Sequence, residues 1–422
     1  MISWIYLGVS VVGLLLTLNA YRPLRVELAS VLTFFSGWLT SELPIHTIVF
    51  QVAATVGFWA GGAFHSLAGW AGFGLTLASW VGLINLARQA QQAGAVTEAA
   101  LDEGLGPDWR RVRDDRVSSA GARTADWAQL AFAFWMRDRR TERLRNIDYW
   151  GDGIHRHRLD IYRPRDVASG GPAPVLVYLH GSGWTVGDKR EQGLPMMLFL
   201  ASQGWICVTA NYRLSPKATW PDHVVDAKRA VAWVRHNIAG YGGDPSFVAV
   251  SGGSAGAQLA SLVALTPGDP AFQPGFEDAD SHVDACVSFY GVYDLTNRDG
   301  LRGQGFLWFL ERVVMKARLA ERSELFRDAS PMDRIGPDVP PFMAVHGTND
   351  SLVPVAEARE FARRLRAASA QPVVYAELPG AQHAFEVFRS VRTAHVVGAV
   401  ADFLAFVRGR RVADREAPGA ML

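Results

Sequence analysis

Cysteine is nearly absent, with Cys207 and Cys286 the only two in 422 residues. Two thiols cannot build a disulfide framework or a cysteine-rich zinc module. Both sit in apolar runs, where a small buried side chain is the expected role. An excess of either charge is also missing. The formal net charge is +1, so no global field points to nucleic acid or another polyanion. There is no internal repeat or low-complexity tract in the later part of the chain. Histidines in His-x-x-x-His or His-Glu-x-x-His spacing do not occur, and no metal centre is expected. Disorder is excluded by composition, since 49% of residues are hydrophobic and only 20% charged.

Charge is scarcest at the front. Of the first 87 residues only Arg22, Arg25, Glu27 and Glu42 are charged, and the other 79 of the 83 acidic and basic residues follow. Residues 2–19, 43–64 and 66–87 are uncharged stretches, and a bilayer core needs roughly 20 apolar residues as helix. Three spans are expected. Residues 28–42 are shorter and dotted with Thr33, Ser36, Thr40 and Ser41, which suits an interfacial or buried helix, with a fourth span as the alternative. The first stretch lacks the basic start and small-residue cleavage site of a signal peptide. With three spans, the loops carrying Arg22, Arg25 and Arg88 favour the cytoplasm, and so does the large domain; a fourth span breaks that agreement.

The expected division is a transmembrane helical segment (1–87), a linker with amphipathic helices (88–145), a catalytic domain (146–411) and a tail (412–422). Within the linker, Trp127, Leu130, Ala131, Phe134 and Trp135 fall at helical spacing and predict one apolar face, packed on the domain or on lipid. From residue 146 the pattern becomes α/β. Apolar, β-rich runs at 175–179, 205–209, 247–250, 285–290, 342–345 and 373–378 alternate with helical stretches such as 221–239, 255–265 and 355–368. That alternation implies a mostly parallel, doubly wound sheet buried on both faces.

One motif dominates the chemistry. Gly252-Gly-Ser254-Ala-Gly256 runs from a β-type stretch directly into a helical one. In so tight a turn, side chains at the flanking positions would collide. The serine is held at the apex, with the next amide free to bind an anion. Upstream, His180-Gly181-Ser182-Gly183-Trp184 ends a strand in a glycine-rich loop suited to an oxyanion hole. Phosphate-loop and dinucleotide patterns are absent there.

A nucleophilic serine needs a base, and the base an orienting acid. Asp350 lies in the loop after one predicted strand and His383 in the loop after the next, both at strand carboxyl ends. The order Ser, Asp, His is the hydrolase order. His346, four residues before Asp350, is the rival base. Asp338 and Asp333 are the rival acids. His180 is expected to brace its loop, and His223 and His236 to be structural.

These residues, with Leu159-Asp-Ile-Tyr-Arg-Pro164, Asn211-Tyr-Arg-Leu-Ser-Pro216, Tyr241-Gly-Gly-Asp-Pro245, Asp350-Ser-Leu-Val-Pro354 and His383-Ala-Phe385, resemble the α/β-hydrolase carboxylesterases. The likeness is to the hormone-sensitive-lipase and feruloyl-esterase-like groups, especially membrane-anchored actinobacterial esterases. The resemblance covers roughly residues 146–408. It implies the α/β-hydrolase fold and hydrolysis of carboxylic esters through an acyl-enzyme on Ser254, with His383 as base and Asp350 as acid. The oxyanion amides would be those of Gly181, Ser182 and Ala255. Ser182 stands where the lipase pattern has a second glycine, and Gly253 where many members have Asp or His.

No cofactor is implied, and the expected partners are an ester, lipid among the candidates, and a membrane. Trp184, and Trp308 in an apolar insertion, are candidate substrate contacts. An amidase, a formamidase or an acyltransferase would use the same triad, and a non-catalytic membrane scaffold is the reading from another class. Every catalytic motif lies beyond Arg88, so the apolar segment is expected to be dispensable for activity.

Overall fold

The computed structural model describes residues 1–23, 27–115, 127–165 and 171–416, and of these the backbone alone at 27–32, 127, 415 and 416. In chain order, the helices α1 (Ile2–Tyr21), α2 (Glu27–Glu42), α3 (Pro44–Ala60), α4 (Leu67–Leu105), α5 (Trp109–Val112) and α6 (Trp127–Ala131) come first. Strands β1 (Thr141–Asp148), β2 (Arg158–Pro164) and β3 (Ala173–Leu179) open the sheet, followed by α7 (Leu194–Ser202) and β4 (Ile206–Ala210). Next come α8 (Asp222–Asn237), β5 (Gly243–Gly253), α9 (Ala255–Leu265) and β6 (Ala285–Phe289). The chain closes with α10 (Gln304–Phe309), α11 (Ser323–Asp328), β7 (Phe342–Gly347), α12 (Val355–Ala368), β8 (Val373–Leu378) and α13 (Val391–Glu416).

The sheet has eight strands in the order β1-β2-β4-β3-β5-β6-β7-β8. From β4 to β8 all neighbours are parallel, while β2 runs antiparallel to both β1 and β4. The six expected runs are all strands, and the α/β-hydrolase sheet is complete. The two added strands precede them. β1 (Thr-Glu-Arg-Leu-Arg-Asn-Ile-Asp) is an edge strand, mostly half-buried or exposed, so it needs no continuous apolar run to form. The sheet therefore begins at Thr141, five residues before the expected boundary at 146.

Two apolar cores cover the two faces. One joins α8, α9 and α12 to the sheet, and the other joins α7, α13 and the end of α4. Cys207 and Cys286 are buried and unbonded. The end of α4 marks a difference from the sequence reading. At 39 residues α4 is about 58 Å long, and it runs without interruption through the expected boundary at 87. Its Ala93, Ala100 and Leu101 are core residues of the sheet domain. A Cβ on Gly104 would lie 2.8 Å from the Val373 carbonyl of β8.

Helices α1 and α4 are each long and apolar enough to cross a membrane. The stretch expected to span at 43–64 holds the 17-residue α3, which ends where Gly62 turns left-handed and a short 3-10 turn, Ala63–His65, follows. Pro44 cannot continue the preceding helix, and α2 meets α3 at 95°. The packing of these helices is inverted relative to a soluble bundle. Ser10, Thr17, Thr55, Thr76 and Ser79 are buried, while Trp4, Val49, Trp59 and Leu67 face outward. Hydroxyls join the helices, with Thr17 and Ser79 at 2.8 Å and Tyr6 bonded to Thr55 at 3.2 Å and Thr76 at 3.3 Å.

The expected apolar stripe at 127–135 does not form one helical face. α6 stops at Ala131, the chain turns to enter β1, and Phe132, Phe134 and Trp135 are exposed. The turn is pinned by Arg389, whose amide donates to the Ala133 carbonyl at 3.0 Å. The last helix, α13, runs into the expected tail, of which residues 417–422 lie outside the described residues.

Candidate active site

Ser254 stands between β5 and α9 with φ 56° and ψ −121°, a region that costs a non-glycine residue energy and marks a forced turn. The neighbours show what forces it. A Cβ on Gly252 would strike the Gly256 carbonyl, and one on Gly256 would lie 2.7 Å from the His180 carbonyl carbon. Both glycines are thus required by close backbone approach. The Ser254 amide donates to the Phe289 carbonyl of β6 at 2.9 Å, which leaves the half-buried side chain at the carboxyl edge of the sheet.

The glycine-rich loop lies against this turn, since a Cβ on Gly181 would be 3.1 Å from that of Ser254. Ser182, Gly183 and Trp184 all have positive φ, at 77°, 62° and 60°. The assignment of Gly181 to the oxyanion hole needs correction. Its amide already donates to Gln192 Oε1 at 2.7 Å, while Gln192 Nε2 donates to Ser182 Oγ at 3.0 Å. Among the described residues, the amides of Ser182, Gly183 and Ala255 find no acceptor in the chain, so they remain available as donors. Gln192 carries no motif and was not foreseen. His180 braces the loop as expected: its Nδ1–H donates to the Gly181 carbonyl at 3.0 Å and its ring stacks on Tyr212. Burial pushes its pKa down to about 4, so it is neutral at pH 7.

Trp184 is a second correction. Its ring is 2% exposed and its indole donates to Gln258 Oε1 at 3.0 Å, so it braces α9 from inside the core. Trp308 is 61% exposed on α10. Its neighbour Phe309 is the residue of that insertion that reaches the loop, 3.6 Å from where a Gly183 Cβ would sit.

Asp350 and His383 meet as the sequence suggests, with Nδ1–H donating to Oδ2 at 2.7 Å. The other carboxylate oxygen accepts the amides of Leu352 at 2.9 Å and Val353 at 2.8 Å. Burial alone would raise the Asp350 pKa. The partnership with His383 and His346 holds it well below the usual carboxylate range. The rival base His346 is spent on the same acid. Its Nε2 lies 3.0 Å from the Val353 carbonyl, which can only accept, so that nitrogen carries the proton and also faces Asp350 at 3.1 Å. Asp338 and Asp333 are exposed and precede β7, at the opposite end of the strand from Asp350.

Tyr290 ties base to serine turn. Its ring lies 4.3 Å from that of His383, and its hydroxyl fills the place where a Gly253 side chain would be, 2.7 Å from that Cβ position. The hydroxyl donates to buried Glu386, which also accepts from Tyr178 at 3.2 Å. Burial, the largest influence, pushes the Glu386 pKa up to about 7 against those hydrogen bonds. Among the described residues Ser254 Oγ makes no hydrogen bond to His383; such bonds often tighten only when substrate binds. No group of three His, Cys, Asp or Glu side chains among the described residues could hold a metal ion.

The apolar segment also reaches the loops of this site. Asn349, beside Asp350, donates to the carbonyls of Ala20 at 2.9 Å and Tyr21 at 3.2 Å. Trp38 donates to the carbonyl of Ala384, beside His383, at 2.8 Å. Glu42 forms a fully buried ion pair with Arg392 and accepts from Ser390 Oγ at 3.2 Å.

A family model described as BD-FAE matches residues 159–365. The chain is 45% identical over 425 residues to the probable carboxylic ester hydrolase LipM of Mycobacterium tuberculosis, covering 96% of this chain and 93% of the relative. It is 41% identical to esterase LipQ of the same organism, over 90% and 86% of the two chains. Among solved structures, esterase B from Lactobacillus rhamnosis superposes with a TM-score of 0.56 over 76% of this chain and all of that one, at 20% identity, which bears on the fold alone. With its serine turn, its Asp–His pair and relatives matched over nearly their whole length, the chain belongs to the BD-FAE-type, feruloyl-esterase-like carboxylic ester hydrolases of the α/β-hydrolase fold.

Proposed function

We propose that this carboxylic ester hydrolase works through Ser254, His383 and Asp350, and that its amino-terminal helices hold it in a membrane. The observation that carries the reading is the buried Asp350–His383 bond beside a serine in forced backbone geometry. Asp350 accepts a hydrogen bond from His383 Nδ1–H, which leaves Nε2 as the lone-pair nitrogen. His383 takes the Ser254 proton as the hydroxyl attacks the ester carbonyl. The amides of Ser182, Gly183 and Ala255 receive the negative charge on the carbonyl oxygen. Collapse expels the alcohol, which His383 protonates, and water then attacks the acyl-enzyme by the same route in reverse. Ser254→Ala should abolish ester hydrolysis in folded protein, and a fluorophosphonate should label the wild type on Ser254 alone. Retention of more than about a tenth of kcat in the alanine variant would place the nucleophile elsewhere.

The helix directions support a three-span arrangement. The end of α1 meets the catalytic domain through Asn349, and α4 runs back into its core. The far end of α3 returns to the start of α1, since Gly61 lies against Ile2. α1, α3 and α4 then cross, while α2 lies across the catalytic side near the membrane surface. Arg22 and Arg88 fall on that same side, which favours the cytoplasm. Resistance to carbonate extraction tests the insertion, and protease access in sealed vesicles tests the side.

A further inference from the structure

Helix α2 occupies an unusual position for an interfacial element. It is pressed against the loop that carries His383, and it contributes an aromatic ring to that histidine's surroundings. Phe34 is buried, and its ring meets the His383 imidazole edge-on with centroids 6.0 Å apart. Trp38, one turn on, stacks on Phe34 at 5.5 Å and packs on Phe388 at 5.0 Å, while its indole holds the Ala384 carbonyl. The buried Glu42–Arg392 pair fixes the end of the helix.

The other elements around His383 are already committed. Tyr290 covers one part of its ring, Asp350 takes Nδ1, and Gln382 Oε1 accepts the His383 amide at 2.8 Å. The wall supplied by α2 has no charge from residue 28 to residue 41. Its next residue, Phe35, is half exposed, so the aromatic surface continues outward from the site. On the arrangement proposed above, that outward direction runs along the membrane surface. A charged ester part placed there would lose its water with no charge on that stretch of α2 in return, whereas a hydrocarbon chain would gain by burial.

We propose that α2 is a specificity wall of the active site, with Phe34 in contact with substrate, and that the substrates are esters carrying a long hydrocarbon chain presented from the membrane surface. The proposal rests on the ester-hydrolase reading. Trp38 is a positioning residue that holds Phe34 and the His383 loop in register.

The test uses the full chain in phosphatidylcholine nanodiscs with p-nitrophenyl acetate, octanoate and dodecanoate. Wild type should show kcat/KM rising from acetate to the longer esters. Phe34→Ala should lower kcat/KM for dodecanoate about tenfold more than for acetate, the scale of a lost apolar contact in a binding pocket. Phe34→Leu, which keeps apolar bulk, should restore most of that ratio. Equal losses on all three esters would reduce Phe34 to a support for His383 and overturn the proposal. So would a wild type that favours acetate, whatever the variants do. A wild type that labels with fluorophosphonate but cleaves acetate as well as or better than the longer esters overturns the proposal and leaves the hydrolase reading standing. A wild type that cleaves none of the three overturns both.

Discussion

Asp350→Asn isolates the charge of the acid from its place in the fold. Oδ1 accepts the amides of Leu352 and Val353, and an asparagine carbonyl oxygen can keep both bonds. The loss falls on Oδ2, which faces His383 Nδ1 at 2.7 Å and His346 Nε2 at 3.1 Å. An amide NH2 there meets two N–H groups. His346 cannot turn its proton away without abandoning the Val353 carbonyl, so His383 must, moving its proton to the nitrogen that should receive one from Ser254. Separately, the imidazolium formed during attack loses its counter-charge. At a centre-to-centre distance near 4 Å and an effective dielectric of about 20, that attraction is roughly 4 kcal/mol. With the tautomer penalty added, the barrier should rise about 5 kcal/mol, a loss in kcat of between ~10³ and ~10⁴, in line with the serine-protease precedent of about 10⁴. KM should change little. Asp338→Asn is the control, exposed at the other end of β7, and should be silent. The assay is initial-rate hydrolysis of a short-chain ester at neutral pH, with circular dichroism to check folding. An Asp350→Asn enzyme within tenfold of wild type would refute the reasoning, and a dead Asp338→Asn would move the acid.

Three further outcomes follow from the same geometry. Glu42→Ala should destabilise the protein by about 3–5 kcal/mol, because Arg392 is left charged and buried without its partner; denaturant midpoints would show it, and a change under 1 kcal/mol would mean that the pair is solvated. Gly256→Ala should leave little folded, active enzyme, since its Cβ would meet the backbone of His180; wild-type yield and activity would contradict the close approach. Glu386, with a folded pKa near 7 against an ordinary value of 4.5, binds its proton more readily folded than unfolded. Its contribution to stability is therefore complete below about pH 4.5 and is lost as pH rises through 7. The difference in melting temperature between wild type and Glu386→Gln should shrink or reverse over that window, and a pH-independent difference would show that Glu386 titrates normally.

The candidate site was legible in the sequence because each of its parts is a local constraint. Gly252 and Gly256 are demanded by a turn of five residues. Asp350 and His383 each follow an apolar strand, and strand order alone brings their loops to one edge. The six apolar strands and the uncharged helices could be read for the same reason, since burial on all sides leaves a continuous apolar run. What needed tertiary structure were contacts between residues far apart in the chain. β1 is an edge strand with little apolar content, so its pairing and not its composition makes it a strand. Gly181 and Ser182 look alike as loop amides, and only the approach of Gln192 takes one out of use. Trp184 beside that loop reads as a substrate contact until Gln258 draws its indole into the core. The apolar segment showed a helix length and a lack of charge, which says where it can live but not what it touches. That Phe34, Trp38 and Glu42 close on the His383 loop, about 350 residues away, was decided by Pro44 breaking the helix and α4 carrying its length into the sheet domain. Local sterics and hydropathy are written in neighbouring residues; which surfaces meet is settled by the packing of the whole chain.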